Sequence, residues 1–172
     1  MTAVHVGGIE LRLGCSDFLY REAAALDAHD YVAWLAMLTP DVSYRIPVRT
    51  VRPGGVDEHS ATAFYLHETY DSLRARVERF ATDYAWAEDP PSRTRHCISN
   101  VIVETDDLQS AEIAVRSNIV LLRYAAGQTL PDIVSGERRD VLRATHDGWR
   151  LARRLVLLDS SVLGMHNFSV FL

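Results

Sequence analysis

Apolar residues in the first part of the chain recur at helical spacing and then begin to alternate with polar ones. The segment Ser16–Leu38 predicts two short helices, because Ser16 and Asp30 each precede an apolar stripe and carry side chains suited to an N-cap. Residues 1–15 are expected to form an N-terminal arm. Alternation over Val42–Val48 predicts a half-buried strand, and Pro47 within it indicates an edge or a bulge.

The longest helical stripe lies farther along the chain. Leu66 and Tyr84 bound a set of apolar residues in steps of three and four, which predicts one long helix that begins near Asp57 or Ser60. The aromatic residues of this stripe are expected to belong to the core. They are Tyr70, Phe80 and Tyr84.

The second half of the chain has the pattern of long strands separated by short polar turns. Asp147-Gly148 is a strong hairpin signal, and short links of this kind pair consecutive strands antiparallel. The segment Asn167–Leu172 is mostly apolar and is expected to dock on the core or to add a final strand. The predicted strands are His96–Glu104, Ala111–Tyr124, Asp132–Thr145 and Trp149–Asp159.

Helices that precede a run of strands favour an α+β fold, with the helices gathered on one face of a curved antiparallel sheet. The order of elements resembles the cone-shaped fold of nuclear transport factor 2 and scytalone dehydratase, in which the sheet wraps around a long helix. No repeat or change of composition divides residues 1–172, so we expect a single domain.

Composition narrows the class of protein. The 172 residues are 48% hydrophobic and 24% charged, which suits one globular core. No apolar run approaches the roughly 20 residues that span a bilayer, and no signal peptide is evident, so we expect a cytoplasmic protein with no membrane partner. The net charge of −5 argues against a nucleic-acid partner. Cys15 and Cys97 are expected to be buried thiols.

Motifs for metals and cofactors are missing from the sequence. No histidine is followed two positions later by Asp or Glu, and the cysteines and histidines lack the spacing of a Rieske centre. H-E-x-x-H, the P-loop and the dinucleotide fingerprint are also missing. We therefore predict no metal, no cofactor and no catalytic residue in this chain.

One polar pair could still carry chemistry. In a cone-shaped fold, the carboxylate of Asp30 at the start of the second helix could meet the imidazole of His96 on a strand. An Asp that orients a His makes a general acid or base near neutral pH. The simpler interpretation is structural, with Asp30 capping its helix and His96 making a hydrogen bond within the fold.

Two pairs of adjacent arginines lie in the predicted strands. All 18 basic residues of the chain are arginines. We expect Arg138-Arg139 and Arg153-Arg154 to lie on a solvated strand face, although arginine is also favoured at protein interfaces.

Six strings of residues stand in colinear order between about Asp17 and Leu172. They are Phe18–Ala23, Tyr44–Arg49, Glu88–His96, Arg138–Arg143, Trp149–Arg154 and Asn167–Phe171. Together they resemble the β (small) subunit of bacterial aromatic-ring-hydroxylating dioxygenases, the Rieske non-haem iron enzymes.

The resemblance implies a cone-shaped subunit with a mainly structural role. It implies assembly with a large (α) subunit, commonly as three large and three small chains, and self-association of the small chain as a trimer is a further expectation. The large subunit is expected to hold a Rieske [2Fe-2S] cluster and a mononuclear iron. There, O₂ and electrons would convert an arene to a cis-dihydrodiol in the catabolism of aromatic compounds.

Two alternatives stay open. One is a stand-alone cone-fold dehydratase or isomerase that uses Asp30 and His96 as its acid/base pair. The other is a binding module that does not join an oxygenase. A neighbouring gene for a Rieske-type large subunit would favour the dioxygenase interpretation over both.

Overall fold

The computed structural model describes residues 6–50, 59–80, 91–104, 110–162 and 170–172. Within these residues the chain has three helices and six strands. The helices are α1 (Val6–Asp27), α2 (Tyr31–Ala36) and α3 (Tyr70–Phe80). The strands are β1 (Leu38–Arg49), β2 (His59–Glu68), β3 (Arg93–Glu104), β4 (Glu112–Tyr124), β5 (Asp132–Thr145) and β6 (Gly148–Leu158).

The strands form one sheet in the order β2-β1-β6-β5-β4-β3. Neighbouring strands run antiparallel at every junction except that of β1 with β6, which is parallel. This parallel junction joins the early β1–β2 pair to the later meander of four strands. The α+β fold predicted from the order of elements is confirmed, and the predicted antiparallel sheet holds at all junctions but one.

Helix α1 is much longer than the sequence predicted. It begins at Val6 and passes through Ser16, so Ser16 is not an N-cap and most of the expected arm is helical. Positions 10–13 hold only Glu, Leu and Arg, which favour a helix, and no proline interrupts them. Helix α1 packs mainly on β3 and is the long helix of the cone. Its buried residues are Cys15, Phe18, Leu19, Glu22, Ala23 and Leu26.

The predicted long helix beginning near Asp57 or Ser60 is wrong. Its first part is strand β2, in which Leu66 pairs with Ile46 of β1, and helix α3 begins only at Tyr70. The aromatic and Thr residues of β2 suit a strand, and pairing with β1 outweighs the helical spacing that links Leu66 to Tyr70. Residues 81–90, including Tyr84, lie outside the described residues.

The strands of the second half are confirmed, and β5 has the predicted bounds. Gly148 adopts a φ of 111° in the turn between β5 and β6, a conformation that favours glycine. Pro47 lies at a bulge, because the register of β1 against β2 shifts on both sides of it. Along each of these strands, side chains alternate between the face that meets the helices and the outer face.

The segment Val170–Leu172 docks in the core and forms no strand. Its three side chains are at most 8% exposed. Residues 163–169 lie outside the described part of the chain. The cone is thus filled by side chains of the sheet, by one face of α1 and by this segment.

Candidate functional site in the interior of the cone

Four charged side chains meet between the sheet and helix α1. Glu22 comes from α1, Arg138 and Asp140 from β5, and Arg154 from β6, and none is more than 2% exposed. Arg138 and Asp140 are two residues apart on one strand and so point to the same face, while Arg154 lies opposite Asp140 in the register of β6 with β5. Two arginines and two carboxylates make up this interior cluster.

The guanidinium of Arg154 is the centre of the interior cluster. Its Nη1 and Nη2 each donate to a carboxylate oxygen of Glu22 at 2.7 Å. Its Nε and Nη2 donate to the two oxygens of Asp140 at 2.8 Å. Nη1 also donates to a backbone oxygen of Leu172 at 3.0 Å. All five N–H donors of this arginine are therefore used within the fold.

Arg138 is held less completely than Arg154. Its Nη1 lies 3.4 Å from Glu22, and its Nε donates to the hydroxyl of Ser117 at 3.3 Å. Its Nη2 has no hydrogen-bond partner among the described residues. Glu22 also accepts a hydrogen bond from a residue that is not an arginine. The indole N–H of Trp34 donates to its Oε1 at 3.2 Å.

The electrostatics of the interior cluster favour the ionised forms of Glu22 and Arg154. Burial opposes ionisation of Glu22, but Arg154 and Arg138 outweigh it and hold the pKa of Glu22 below its usual range. Burial likewise disfavours the charge of Arg154, yet Asp140 and Glu22 raise its pKa well above the usual value. Burial, followed by the charge of Arg154, lowers the pKa of Arg138. The carboxylate of Glu22 and the guanidinium of Arg154 therefore stabilise each other, whereas Arg154 repels Arg138.

His96 of β3 has a carboxylate partner, but the partner is Asp27 and not Asp30. Nδ1 of His96 lies 2.6 Å from Oδ1 of Asp27, and the backbone N–H of His96 donates to the same carboxylate at 3.1 and 3.2 Å. Burial opposes ionisation of Asp27, but the hydrogen bonds from His96 outweigh it and keep the pKa of Asp27 below its usual range. Asp27 ends α1, the helix that packs on β3, which explains the contact.

The other ring nitrogen of His96 is also used. Nε2 lies 2.8 Å from the carbonyl oxygen of Phe171, and the side chain is only 3% exposed. Both neighbours are hydrogen-bond acceptors, so both ring nitrogens of His96 are engaged within the fold. In this arrangement His96 joins α1 to the segment Val170–Leu172 and presents no ring nitrogen to a substrate.

Asp30 has the structural role that the sequence predicted. Its Oδ1 accepts a hydrogen bond from the backbone N–H of Ala33 at 3.0 Å, so it is the N-cap of α2. The expected pairing of Asp30 with His96 is wrong, because the carboxylate of Asp30 is exposed and turned to its own helix. Asp27, which the sequence analysis missed, carries no local signal beyond its place in an apolar helical stretch.

The arginine pairs are split between the two faces of the sheet. Arg138 and Arg154 are buried, whereas Arg139 and Arg153 are exposed and pair with Glu137 and Glu112. The expected solvated face is therefore right for one member of each pair and wrong for the other. Adjacent residues of a strand point to opposite faces, and this alternation is the signal that identifies one buried arginine in each pair.

The outer face of the sheet carries its own set of ion pairs. Glu112 contacts Arg143 and Arg153 at 2.8 Å, and Arg143 also pairs with Asp41 at 2.7 Å. Towards the other end of β4 and β5, the outer face carries partly exposed apolar side chains. They are Val120, Tyr124 and Ile133.

The two cysteines differ in burial. Cys15 is buried in α1, as predicted, and burial raises its pKa to about 11, so it behaves as an apolar group. Cys97 is exposed, which corrects the prediction of a second buried thiol. It lies opposite Val120 in the β3–β4 register, on the outer face.

Within the described ranges, no three His, Cys, Asp or Glu side chains lie together so that they could hold a metal ion. The described helices also include none long and apolar enough to cross a membrane.

Comparison with known proteins places this fold and sequence in a family. Residues 21–165 match the family model described as ring hydroxylating beta subunit. The β subunit of biphenyl 2,3-dioxygenase from Rhodococcus jostii is 36% identical over 160 residues, which cover 90% of this chain and 84% of that protein.

Solved structures agree with the sequence match. A chain from naphthalene 1,2-dioxygenase with indole bound in its active site superimposes with a TM-score of 0.84 at 26% identity, over 95% of this chain and 86% of that one. A scytalone dehydratase-type protein of Novosphingobium aromaticivorans has a TM-score of 0.68 at 14% identity, over 95% and 93% of the two chains, and shows the shared cone-shaped fold alone. The match to the family model over most of its length shows that this chain belongs to the family of ring-hydroxylating dioxygenase β subunits.

Proposed function

We propose that this chain works by assembling with a large subunit that carries the iron centres of a ring-hydroxylating dioxygenase, and that it stabilises this subunit without a catalytic residue of its own. The observation that carries the proposal is the 36% identity to a dioxygenase β subunit over 90% of the chain. The name of that relative implies a further subunit, and the chain itself belongs to the β-subunit family.

The interior of the cone supports a structural role. Arg154 donates all five of its N–H groups to Glu22, Asp140 and a backbone oxygen of Leu172. The two ring nitrogens of His96 contact Asp27 and Phe171. Groups that can act as acids or bases in other proteins are here committed to the fold. A stand-alone dehydratase or isomerase would need one of them to reach a substrate, so we do not favour that alternative.

The finer features of the complex follow from the family. We infer an assembly of three large and three small subunits, with the Rieske [2Fe-2S] cluster and the mononuclear iron in the large subunit. The proposed substrates are arenes, the class to which biphenyl and naphthalene in the names of two relatives belong. The proposed location is the cytoplasm. An obligate interface of this kind buries on the order of 2,000 Å² or more.

Co-expression with a large subunit of the same enzyme class tests the assembly. We expect one complex in size-exclusion chromatography, with a mass that fits three copies of each chain and with iron that follows the large subunit. Arene-dependent O₂ uptake by the complex would support the assignment. Two proteins that elute separately at low salt, with a large subunit fully active alone, would refute it.

A second measurement tests the stabilising role itself. The large subunit expressed alone is expected to be less soluble, or to lose iron and activity faster on warming, than the large subunit in the complex. The isolated small chain is expected to bind no stoichiometric iron in elemental analysis. A visible iron–sulfur absorption band in the isolated small chain would contradict the proposal.

A further inference from the structure

The backbone of residues 170–172 is held by side chains in the manner of a bound peptide. The N–H of Leu172 donates to the hydroxyl of Tyr44 at 2.7 Å, and this hydroxyl donates back to a backbone oxygen of Leu172. Arg154 donates to the same oxygen at 3.0 Å, and Nε2 of His96 lies 2.8 Å from the carbonyl oxygen of Phe171. The segment thus binds through its own backbone groups, which are met by three buried side chains.

The side chain of Phe171 occupies an aromatic seat. Its ring stacks on that of Trp34 with 4.2 Å between the centroids. The rings of Tyr31 and Phe80 meet it edge-on at 6.0 and 6.3 Å. Phe171 is 3% exposed, and its neighbours come from two different helices, α2 and α3. The geometry of these contacts suits a flat aromatic ring.

The groups that hold the segment are positioned by contacts that do not involve it. Four of the five donors of Arg154 go to Glu22 and Asp140, and the indole N–H of Trp34 goes to Glu22. His96 is oriented by Asp27 through both its ring and its backbone N–H. Tyr44 lies in a strand that pairs on both sides, with β2 and with β6. The groups that meet the backbone of the segment, and Trp34 beside its ring, are therefore also held by contacts with other residues.

We propose that the interior of the cone is a binding site for a short peptide with an aromatic residue followed by an aliphatic one, and that Val170–Leu172 occupies it within the same chain. Tethering gives the segment an effective concentration on the order of millimolar, so it keeps the site filled. The site admits a separate peptide only when this segment is removed or weakened. This inference concerns a pocket of the chain and does not depend on the proposed partner.

The test uses a variant that lacks residues 170–172 and the peptide acetyl-Val-Phe-Leu. We expect the variant to melt cooperatively at a lower temperature than the parent chain, and the peptide to raise its melting temperature saturably. The control peptide acetyl-Val-Ala-Leu, which lacks the ring, should have no such effect at the same concentration. The parent chain should not respond to either peptide below about millimolar concentration.

Two further variants locate the binding. Adding Tyr44→Phe to the shortened chain removes the hydroxyl that meets Leu172 and should weaken peptide binding about tenfold in calorimetric titration. The full-length chain with Phe171→Ala keeps the segment but vacates its aromatic seat, and it should bind the peptide where the parent does not. Loss of cooperative melting in the shortened chain would overturn the proposal, because the seat would then need its occupant. Equal effects of the two peptides, or none, would also overturn it.

Discussion

Two adjacent arginines of this protein lie in opposite environments. They allow a comparison of the interior cluster with the outer face of the sheet. Arg138 is 1% exposed and faces Glu22 inside the cone, whereas the side chain of Arg139 is 59% exposed and pairs with Glu137 outside. Both faces use arginine and carboxylate side chains in the same strands. The difference between them is solvent, which is excluded on one face and present on the other.

The difference in solvent access sets how much each ion pair contributes to stability. Water screens the outer pairs, and exposed pairs typically contribute about 0–1 kcal/mol. Inside, the cost of removing charges from water is recovered only while every partner is in place, so loss of one partner is expected to cost about 3–5 kcal/mol. The comparison teaches that residue type does not indicate the energetic role of a charge, whereas the face of the strand does.

Removal of Glu22 is the strongest way to test the comparison. Glu22→Ala leaves Arg154 and Arg138 without their shared carboxylate, and we expect the free energy of unfolding to fall by about 3–5 kcal/mol. Urea denaturation followed by circular dichroism measures the change. The matched control is Glu137→Ala on the outer face. A loss of less than about 1 kcal/mol for Glu22→Ala would show that the interior is wetter than described.

Acid is expected to destabilise the folded state through the interior carboxylates. The folded pKa of Glu22 lies below its ordinary value of 4.5, so the folded state binds fewer protons than the unfolded state. Its contribution is therefore complete above about pH 4.5 and is lost as the pH falls through the folded pKa. Asp27 behaves in the same way from its ordinary value of 3.8. Urea denaturation between pH 7 and pH 3 should show stability level at first and then falling.

The variant Glu22→Gln provides the control for the acid prediction. It should be less stable than the parent at pH 7, yet its stability should fall less steeply below pH 4.5, because one of the titrating carboxylates is gone. Parallel pH profiles for the parent and the variant would assign the acid sensitivity to other carboxylates.

Replacement of either aspartate near α2 should cost less stability than replacement of Glu22. Asp27→Ala removes the partner of a buried histidine and is expected to cost about 1.5–3 kcal/mol, whereas Asp30→Ala removes an N-cap and is expected to cost about 0.5–2 kcal/mol. Melting temperatures rank the two. In the assembled oxygenase, turnover per iron should be unchanged for both variants and for His96→Ala. Loss of turnover in a stable, assembled His96→Ala complex would restore a catalytic role for that residue.

The outer face should give the smallest effect. Glu137→Ala is expected to change the free energy of unfolding by no more than about 1 kcal/mol, and added salt should reduce that change further. Denaturation at low salt and at about 0.5 M salt checks this. The screening length is already about 10 Å at roughly 0.1 M salt and is shorter at the higher concentration. A large, salt-independent loss would mean that the outer pairs act like buried ones.

Features that depend on neighbours in the sequence were predictable. The strand period of the second half predicted β5 to its bounds, and the side chain of Asp30 before an apolar stripe predicted the N-cap of α2. The strings of residues that resemble dioxygenase β subunits predicted a family to which the chain does belong. The sequence determined these features because alternation, capping and turns are properties of a few consecutive residues.

Tertiary structure decided the features that depend on distant residues. Leu66 of strand β2 stands at helical spacing to Tyr70, but the pairing of β2 with β1 settles its conformation. Asp27 and His96 are 69 residues apart, and only the packing of α1 on β3 joins them. Glu22 and Arg154 are 132 residues apart, and a charge placed inside a fold is tolerated only where its partner is also brought inside. Local patterns report the face of a residue, whereas its partner is a property of the folded chain.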